Sequence, residues 1–260
     1  MSGRIIGKSN KSTASVASGV WELQQHYLAE KQQLWPKTPI PVQTDLIIFL
    51  DASRSDSYSG SGTTWTDLSG GNDNGTITGA THDAERGRFL FDAGTEVVDF
   101  STYATHKSTT FTIELWASPT GTHGIDTQAT SGTAGTVGQK YILEAEQEGT
   151  ASGCGISLGT NGVSVYGHGD AFMPPLLVEE RTINTKTQIV VTVTGGVPSL
   201  YIDGSFVKTG STNPRTMYGG FLELGNGVWG AYEGFIYKAL FYDRVLSASE
   251  ILYNYNALGR

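Results

Sequence analysis

The stretch Thr110-Phe-Thr-Ile-Glu-Leu-Trp-Ala117 decides the fold class of this chain. Phe111, Ile113 and Leu115 alternate with polar residues and one tryptophan, which is the period of two that a β-strand imposes on its side chains. A helix would instead repeat its apolar residues every three or four positions. The stretch therefore predicts a strand with one face turned toward a protein core.

Similar short runs lie on both sides of this strand. Residues 46–50 read Leu-Ile-Ile-Phe-Leu, and residues 188–194 read Gln-Ile-Val-Val-Thr-Val-Thr. The pairs Gly195-Gly196 and Asp203-Gly204 follow, and such pairs favour tight hairpins. About a dozen short strands separated by turn residues predict an all-β jelly-roll sandwich. Near the C-terminus, residues 247–257 are predicted to be helical, because Ser247 and Glu250 have capping-box spacing.

The first 44 residues differ in composition from the rest of the chain. They carry five basic and two acidic residues, whereas residues 45–260 carry twelve basic and twenty-three acidic residues. Such asymmetry indicates two parts with different partners. We therefore predict an N-terminal attachment arm and helix over residues 1–44, followed by a jelly-roll domain over residues 45–260.

A short helix is predicted within the arm, over residues 19–35, and Pro36 ends it. The arm and helix either pack on their own domain or dock on another chain, and we favour docking. The narrow apolar stripe of the helix also favours a homo-oligomer. The residues predicted to contact partners are Ile5, Ile6, Val20, Trp21, Leu23, Tyr27 and Leu34.

Composition excludes several classes of protein. A single cysteine excludes an internal disulfide framework and a multi-cysteine zinc site. No window approaches the roughly 20 apolar residues of a membrane-spanning helix, so we expect no membrane insertion. The formal net charge of −8 makes nucleic acid an improbable partner. The first residues lack the apolar region of a secretory signal, so we expect no such signal there.

Several motifs together resemble laminin-G-like, concanavalin A-like jelly rolls. They are residues 46–53, the Gly- and Asn-rich stretch 57–78, the strand 111–116, the hairpin 200–204 and the ending 234–251. The resemblance covers roughly residues 45–257 and implies a β-sandwich. It does not imply one function, because functional sites differ among proteins of one fold.

The N-terminal segment carries a second resemblance. Ser2-Gly-Arg-Ile-Ile-Gly-Lys-Ser9 and Gly19-Val-Trp-Glu-Leu-Gln-Gln-His-Tyr27 are similar to the beginnings of virion proteins of tailed bacteriophages. This resemblance implies a structural protein of the virion, such as a capsid decoration, fibre or tail appendage. It also implies synthesis in the host cytoplasm, in agreement with the missing secretory signal. The expected partners are a capsid or tail component, and the displayed jelly roll would contact a host-surface glycan. The alternative is a carbohydrate-binding module, with or without calcium.

Three carboxylates at a period of two, Glu144, Glu146 and Glu148, are the candidates for catalysis. Some glycoside hydrolases of concanavalin A-like fold carry a similar run on one strand. Residues four apart on a straight strand are about 13 Å apart, too far for the roughly 5 Å of a retaining carboxyl pair. We therefore expect a solvated strand face and no enzymatic activity, and we keep hydrolysis as a weaker alternative.

The weak calcium candidates are Asp51, Asn72 and Asp73, because oxygen donors in loops near strand ends suit a hard cation. Several laminin-G-like domains bind calcium. The run Asn-Asp-Asn-Gly over residues 72–75 is also ordinary turn chemistry, and we favour turns.

Three aromatic residues are candidates for binding a ligand, since such rings stack on sugars or fill protein contacts. Trp229 and Tyr232 lie among glycines and are expected at the surface, as is Tyr166 at a sheet face or rim. His123 is expected to face solvent. Cys154 is expected to be an inert, buried thiol.

Overall fold

The computed structural model describes residues 40–100, 108–144, 150–219 and 223–259. The described residues from Val42 onward form one compact unit. The predicted arm, helix 19–35 and all their predicted contact residues lie outside the described residues. The domain boundary at residue 45 stays a prediction.

Strands dominate the described part of the chain, as the alternating patterns predict. In chain order they are β1 (Leu46–Asp51), β2 (Thr64–Trp65), β3 (Gly75–Thr78), β4 (Thr81–Asp83), β5 (Arg88–Asp92), β6 (Val97–Asp99), β7 (Phe111–Pro119), β8 (Tyr141–Glu144), β9 (Ser152–Gly159), β10 (Gly162–His168), β11 (Pro175–Glu180), β12 (Thr187–Thr194), β13 (Val197–Ile202), β14 (Ser205–Thr209), β15 (Met217–Tyr218), β16 (Glu223–Leu224) and β17 (Glu233–Tyr242).

The strands form two sheets. The eight-stranded sheet has the order β14-β13-β12-β7-β17-β5-β4, with β1 paired to β17. The nine-stranded sheet has the order β11-β10-β9-β8-β16-β6-β3-β2, with β15 paired to β9. All pairings within the sheets are antiparallel except the parallel pair β15–β9. The predicted jelly-roll sandwich is confirmed.

Both predicted hairpins are present in the eight-stranded sheet. Gly195 and Gly196 connect β12 to β13, and Asp203 and Gly204 connect β13 to β14. All four residues have positive φ, including 48° at Asp203. Two consecutive positive φ angles match the twist of antiparallel strands, and they explain the glycines at these turns.

The main core lies between the two sheets. Strand β7 shows how it is built, because Phe111, Ile113 and Leu115 are fully buried and belong to this core. Ile156, Val163 and Val165 meet them from the nine-stranded sheet. The alternation predicted for β7 is therefore confirmed.

A C-terminal helix, α1 (Ala248–Leu258), covers the outer face of the eight-stranded sheet. Ser247 caps its first turn, and Glu250 completes the predicted capping box. A second apolar cluster joins helix and sheet, and Val42 packs against it. None of the described helices is long and apolar enough to cross a membrane.

A hydrogen-bond network fixes α1 to β7. The buried carboxylate of Glu114 accepts from Trp116 Nε1 at 2.9 Å, Gln188 Nε2 at 2.8 Å and Asn254 Nδ2 at 2.7 Å. The Asn254 side chain in turn accepts from the backbone nitrogen of Val42 at 2.8 Å. The polar face of β7 is therefore buried under the helix, where every donor needs its acceptor.

Candidate functional site

Three carboxylates lie side by side on adjacent strands of the nine-stranded sheet. Glu223 of β16 is in register with Glu144 of β8 on one side and with Asp99 of β6 on the other. On each strand, a residue directly next to the carboxylate points into the core. Because neighbouring side chains on a strand alternate between faces, the three carboxylates lie on the outer face. Those core residues are Leu143, Leu224 and Val98. We call Glu144, Glu223 and Asp99 the carboxylate row.

Glu144 is the buried member of the carboxylate row, with 5% of its surface exposed. Its Oε2 accepts a hydrogen bond from the backbone nitrogen of Val228 at 2.8 Å. Its Oε1 is buried without a hydrogen-bond partner among the described residues. Burial, with the nearby charge of Glu223, raises the pKa of Glu144 to about 7.

The negative charges of neighbouring carboxylates repel one another along the carboxylate row. Burial raises the pKa of Glu223, and the charge of Asp99 acts in the same direction. Like charges directly opposite one another destabilise a sheet. With a pKa of about 7, Glu144 can hold a proton near neutral pH, where an ordinary glutamate is ionised. Such a perturbed group is a marker of functional sites.

A glycine-rich loop, residues 225–231, borders the carboxylate row, and we call it the Trp229 loop. The nitrogen of Gly225 donates to the Ile142 carbonyl at 3.0 Å, and the nitrogen of Tyr141 donates to the Gly230 carbonyl at 2.9 Å. Both glycines have positive φ. A Cβ at Gly230 would collide with the Gln139 carbonyl, so this close docking requires glycine.

The Trp229 loop presents apolar surface beside the carboxylate row. Val228 is 82% exposed and Trp229 is 37% exposed. The backbone of Val228 binds Glu144 directly, so the loop that carries these exposed side chains lies against one end of the carboxylate row. Trp229 lies at the surface as expected, and its contact with a ligand stays a prediction.

The expected surface positions of Tyr166 and Tyr232 are wrong, since both are fully buried. Tyr166 does lie on the outer face of β10, but loop 120–140 covers it and Asp126 accepts its hydroxyl hydrogen bond at 2.8 Å. Tyr232 packs in the main core beside Phe91. Neither ring can stack on a ligand in this arrangement.

His123 is also buried, contrary to the expectation that it faces solvent. It lies in loop 120–140, where its Nδ1 is 3.1 Å from Ser157 Oγ. Burial lowers its pKa. The error has a physical cause: loop 120–140 folds back over the nine-stranded sheet, and local composition does not show that contact.

The expectation of a solvated face is likewise wrong for Glu144, because the Trp229 loop covers it. Glu146 and Glu148 lie outside the described residues. Sequence reasoning missed Glu223 and Asp99. Neither residue is distinctive locally, and their proximity to Glu144 comes from strand pairing across long stretches of chain.

The structure places the three calcium candidates in different surroundings. Asp51 Oδ2 forms an ion pair with Lys238 at 2.5 Å, and its Oδ1 accepts from Ser53. Asn72 has a positive φ of 63°, as turns require, and Asp73 is buried. The described residues contain no group of three or more His, Cys, Asp or Glu side chains that could hold a metal ion.

Cys154 is buried in the core as a free thiol. Burial raises its pKa to about 12. A thiol with such a pKa stays protonated at neutral pH and is a poor nucleophile. The expected burial of Cys154 is confirmed.

A comparison with protein families decides the affiliation of this chain. The Laminin_G_3 family model, described as the concanavalin A-like lectin/glucanases superfamily, matches residues 92–252. The chain belongs to this superfamily. The matched range contains β7 and the whole carboxylate row. No curated protein sequence matches the chain.

Solved structures of the same fold are similar at low sequence identity. The binding domain of Paraclostridial Mosquitocidal Protein 1 is 18% identical with a TM-score of 0.58, over 82% of this chain and 52% of that one. The binding domain of botulinum neurotoxin DC with rat synaptotagmin II is 14% identical with a TM-score of 0.55, over 82% and 52%.

A third similar structure is an isolated domain. Domain 4 of AbnA, an extracellular arabinanase from Geobacillus stearothermophilus, in complex with arabinotriose, is 16% identical with a TM-score of 0.53. The match covers 80% of this chain and 97% of that domain. By contrast, this chain spans about half the length of the toxin domains that it matches. These likenesses show the fold.

Proposed function

We propose that this superfamily member is a non-catalytic display module of a bacteriophage virion. We also propose that its jelly roll binds a host-surface glycan at the surface formed by the Trp229 loop and the adjoining carboxylate row, which we call the Trp229 surface. The observation that carries the binding proposal is the exposed Trp229 beside the carboxylate row. The complex of a similarly folded domain with arabinotriose supports it, because this architecture accommodates a saccharide.

The Trp229 surface has the two kinds of group that sugar recognition uses. An indole ring offers a flat apolar face to the C–H face of a pyranose. Carboxylates accept hydrogen bonds from hydroxyl groups, and a protonated carboxyl also donates one. Glu223 can therefore accept hydrogen bonds from the sugar hydroxyls, while Trp229 fixes the plane of the ring. Glu144 lies beneath the Trp229 loop and positions it through the hydrogen bond from Val228.

The place where the chain enters the jelly roll supports display. Val42 packs on the outer face of the eight-stranded sheet and binds Asn254 of α1. The carboxylate row lies on the outer face of the other sheet, on the opposite side of the core. Val42 and the carboxylate row therefore lie on different sheets of the jelly roll.

The virion setting rests on the sequence. The resemblance of residues 2–9 and 19–27 to phage virion proteins supports it, together with the basic balance of residues 1–44. In this proposal the arm binds a capsid or tail component and the module assembles as a homo-oligomer. Electron microscopy of phage particles with an antibody against the jelly roll tests it, and unlabelled particles would contradict it.

A glycan array with the full chain tests the binding proposal. Trp229→Ala is expected to weaken binding of a captured glycan about tenfold, since a central aromatic contact contributes more than 1 kcal/mol. Phe206→Ala is the matched control, because Phe206 is 57% exposed on the other sheet. Chelation with EDTA is expected to leave binding unchanged. Equal binding by the Trp229 and Phe206 variants would contradict the proposal.

One observation favours a second function, hydrolysis of the bound glycan. Glu144 has a pKa of about 7 and lies opposite Glu223, and glycosidases pair a raised carboxylic acid with an ionised partner. Release of reducing sugar from bound glycans separates the two functions. Activity that is lost in both Glu144→Gln and Glu223→Gln would establish hydrolysis, and intact glycans would support binding alone.

A further inference from the structure

A cleft on the outer face of the eight-stranded sheet is separate from the Trp229 surface. It has a volume of about 480 Å³ and lies between the start of β12, the β13–β14 turn and the C-terminal half of α1. Trp116, Lys186, Asp203, Tyr255 and Asn256 line it. Nothing in the proposed glycan contact uses this cleft.

Lys186 is the cation of the cleft, and aromatic rings rather than carboxylates surround it. Its Nζ lies 5.2 Å from the centre of the Trp116 ring and 5.4 Å from that of Tyr237. Within residues 40–100, 108–144, 150–219 and 223–259, no carboxylate forms an ion pair with Lys186. Burial and the charge of Lys238 lower the pKa of Lys186.

Two acidic groups near Lys186 already have other partners. Asp51 forms its ion pair with Lys238. Asp203 lines the cleft, but its Oδ1 accepts a hydrogen bond from the Gln188 nitrogen at 2.9 Å. The positive charge of Lys186 is therefore left to interact with an anion that enters from solvent.

The wall of the cleft is aromatic. The rings of Trp116 and Tyr255 are stacked, with an angle of 4° and a centroid distance of 5.9 Å. Trp116 is buried beneath, and Tyr255 is half-buried. The exposed Thr185 and Asn256 add polar groups at the rim.

We propose that this cleft binds a carboxylate-bearing sugar. The carboxylate would sit at Lys186, where it meets a partly desolvated cation without a competing counter-ion. The apolar face of the sugar ring would lie on Tyr255, and the rim would receive its hydroxyls. An uncharged sugar would gain only the weaker stacking contact.

Titration of the full chain with D-glucuronate, followed by nuclear magnetic resonance, tests this site. D-glucose tests the ring without its charge, and acetate tests the charge without the ring. We expect saturation by glucuronate below about 10 mM, and binding of glucose and acetate at least about tenfold weaker. Absence of saturation by glucuronate, or equal binding of acetate, would overturn the proposal.

Variants locate the site. Lys186→Gln should weaken glucuronate binding about tenfold, and Lys186→Arg should restore most of it, since it keeps the charge. Lys208→Gln is the matched control, because Lys208 lies on β14 and its Nζ bonds the Val178 carbonyl outside the cleft. Lys186→Gln should leave binding of the glycan captured on the array unchanged, so failure of this site and of the Trp229 surface are distinguishable. Unchanged binding by folded Lys186→Gln would refute the assignment.

Discussion

Glu144 couples the pH of the solution to the stability of the fold. Its pKa is about 7 in the folded protein and about 4.5 in an unfolded chain. Because the folded state holds the proton more tightly, protonation stabilises the fold below pH 4.5, and this contribution is lost as the pH rises through 7. The difference in the free energy of unfolding between two pH values therefore reports on the environment of Glu144 in the carboxylate row.

We predict that Glu144→Gln reduces the loss of stability between pH 5 and pH 8. The pH-dependent part of the free energy of unfolding that the variant loses is roughly 1 to 3 kcal/mol, allowing for screening by solvent. Urea unfolding of both proteins at each pH measures it. The control is Glu85→Gln, an exposed carboxylate far from the row. Parallel pH profiles for Glu144→Gln and the unchanged protein would contradict the assigned environment of Glu144.

At the scale of single residues, the sequence shows the neighbours of a residue along the chain but not the residues that it contacts in the fold. It shows Trp229 in a glycine-rich loop and Cys154 between two glycines, and both expectations about exposure match the structure. It does not show that Glu223 lies beside Glu144, because that proximity arises from pairing of β16 with β8. Burial of His123 against Ser157 of the distant strand β9 is equally absent from the local sequence.

At the scale of elements, α1 depends on its first turn and on one buried carboxylate. Arg244 pairs with Glu250 at 2.7 Å and holds the capping box from outside. Glu114 and Asn254 attach the helix to β7 from inside. The two contacts are separate and can be tested separately.

Loss of the N-cap should cost a modest amount of stability. Ser247→Ala removes the side-chain acceptor for the Glu250 nitrogen, which is worth about 1 kcal/mol. Thermal unfolding measures the change, and Ser61→Ala in an exposed loop serves as the control. A melting temperature equal to that of the control would show that the cap contributes nothing.

Loss of the Glu114 carboxylate should be far more severe. Glu114→Ala leaves three buried donors without their acceptor and opens a cavity. We expect destabilisation of about 3 kcal/mol or more, because each unsatisfied buried group costs about 1 kcal/mol or more. Urea unfolding against Glu85→Ala measures it. A loss below that of Ser247→Ala would mean that the helix is held by apolar packing alone.

Elements were predictable where the pattern is local. Alternation identified β7, paired turn residues identified both hairpins, and a capping signature placed α1 to within one residue of its observed bounds. The contact between α1 and the polar face of β7 was not predictable. Glu114 and Asn254 are separated by 140 residues, and no periodic signal links them.

At the scale of the whole molecule, residues before the jelly roll are predicted to drive assembly. Light scattering of the full chain should give an oligomer, and a chain beginning at Asp45 should give a folded monomer. The physical reason is the apolar stripe predicted over residues 20–34, which a partner helix would bury. Two monomers of the expected masses would reject self-assembly through this segment.

The sandwich as a whole was predictable from the number of strands, their spacing and the resemblance in their motifs. The order of strands was not. Strand β17 pairs with β1, β5 and β7, which are far from it in sequence. Those pairings are set by how the two sheets close over a common core, and no single segment encodes them.

The burial of Cys154 makes this protein well suited to site-specific labelling. The chain has one cysteine, and its pKa of about 12 keeps it unreactive toward maleimides at neutral pH. A cysteine introduced at Val228, which is 82% exposed, would therefore be the reactive thiol to which a fluorophore attaches. A dye at that position would report directly, by its emission, when a molecule settles beside Trp229.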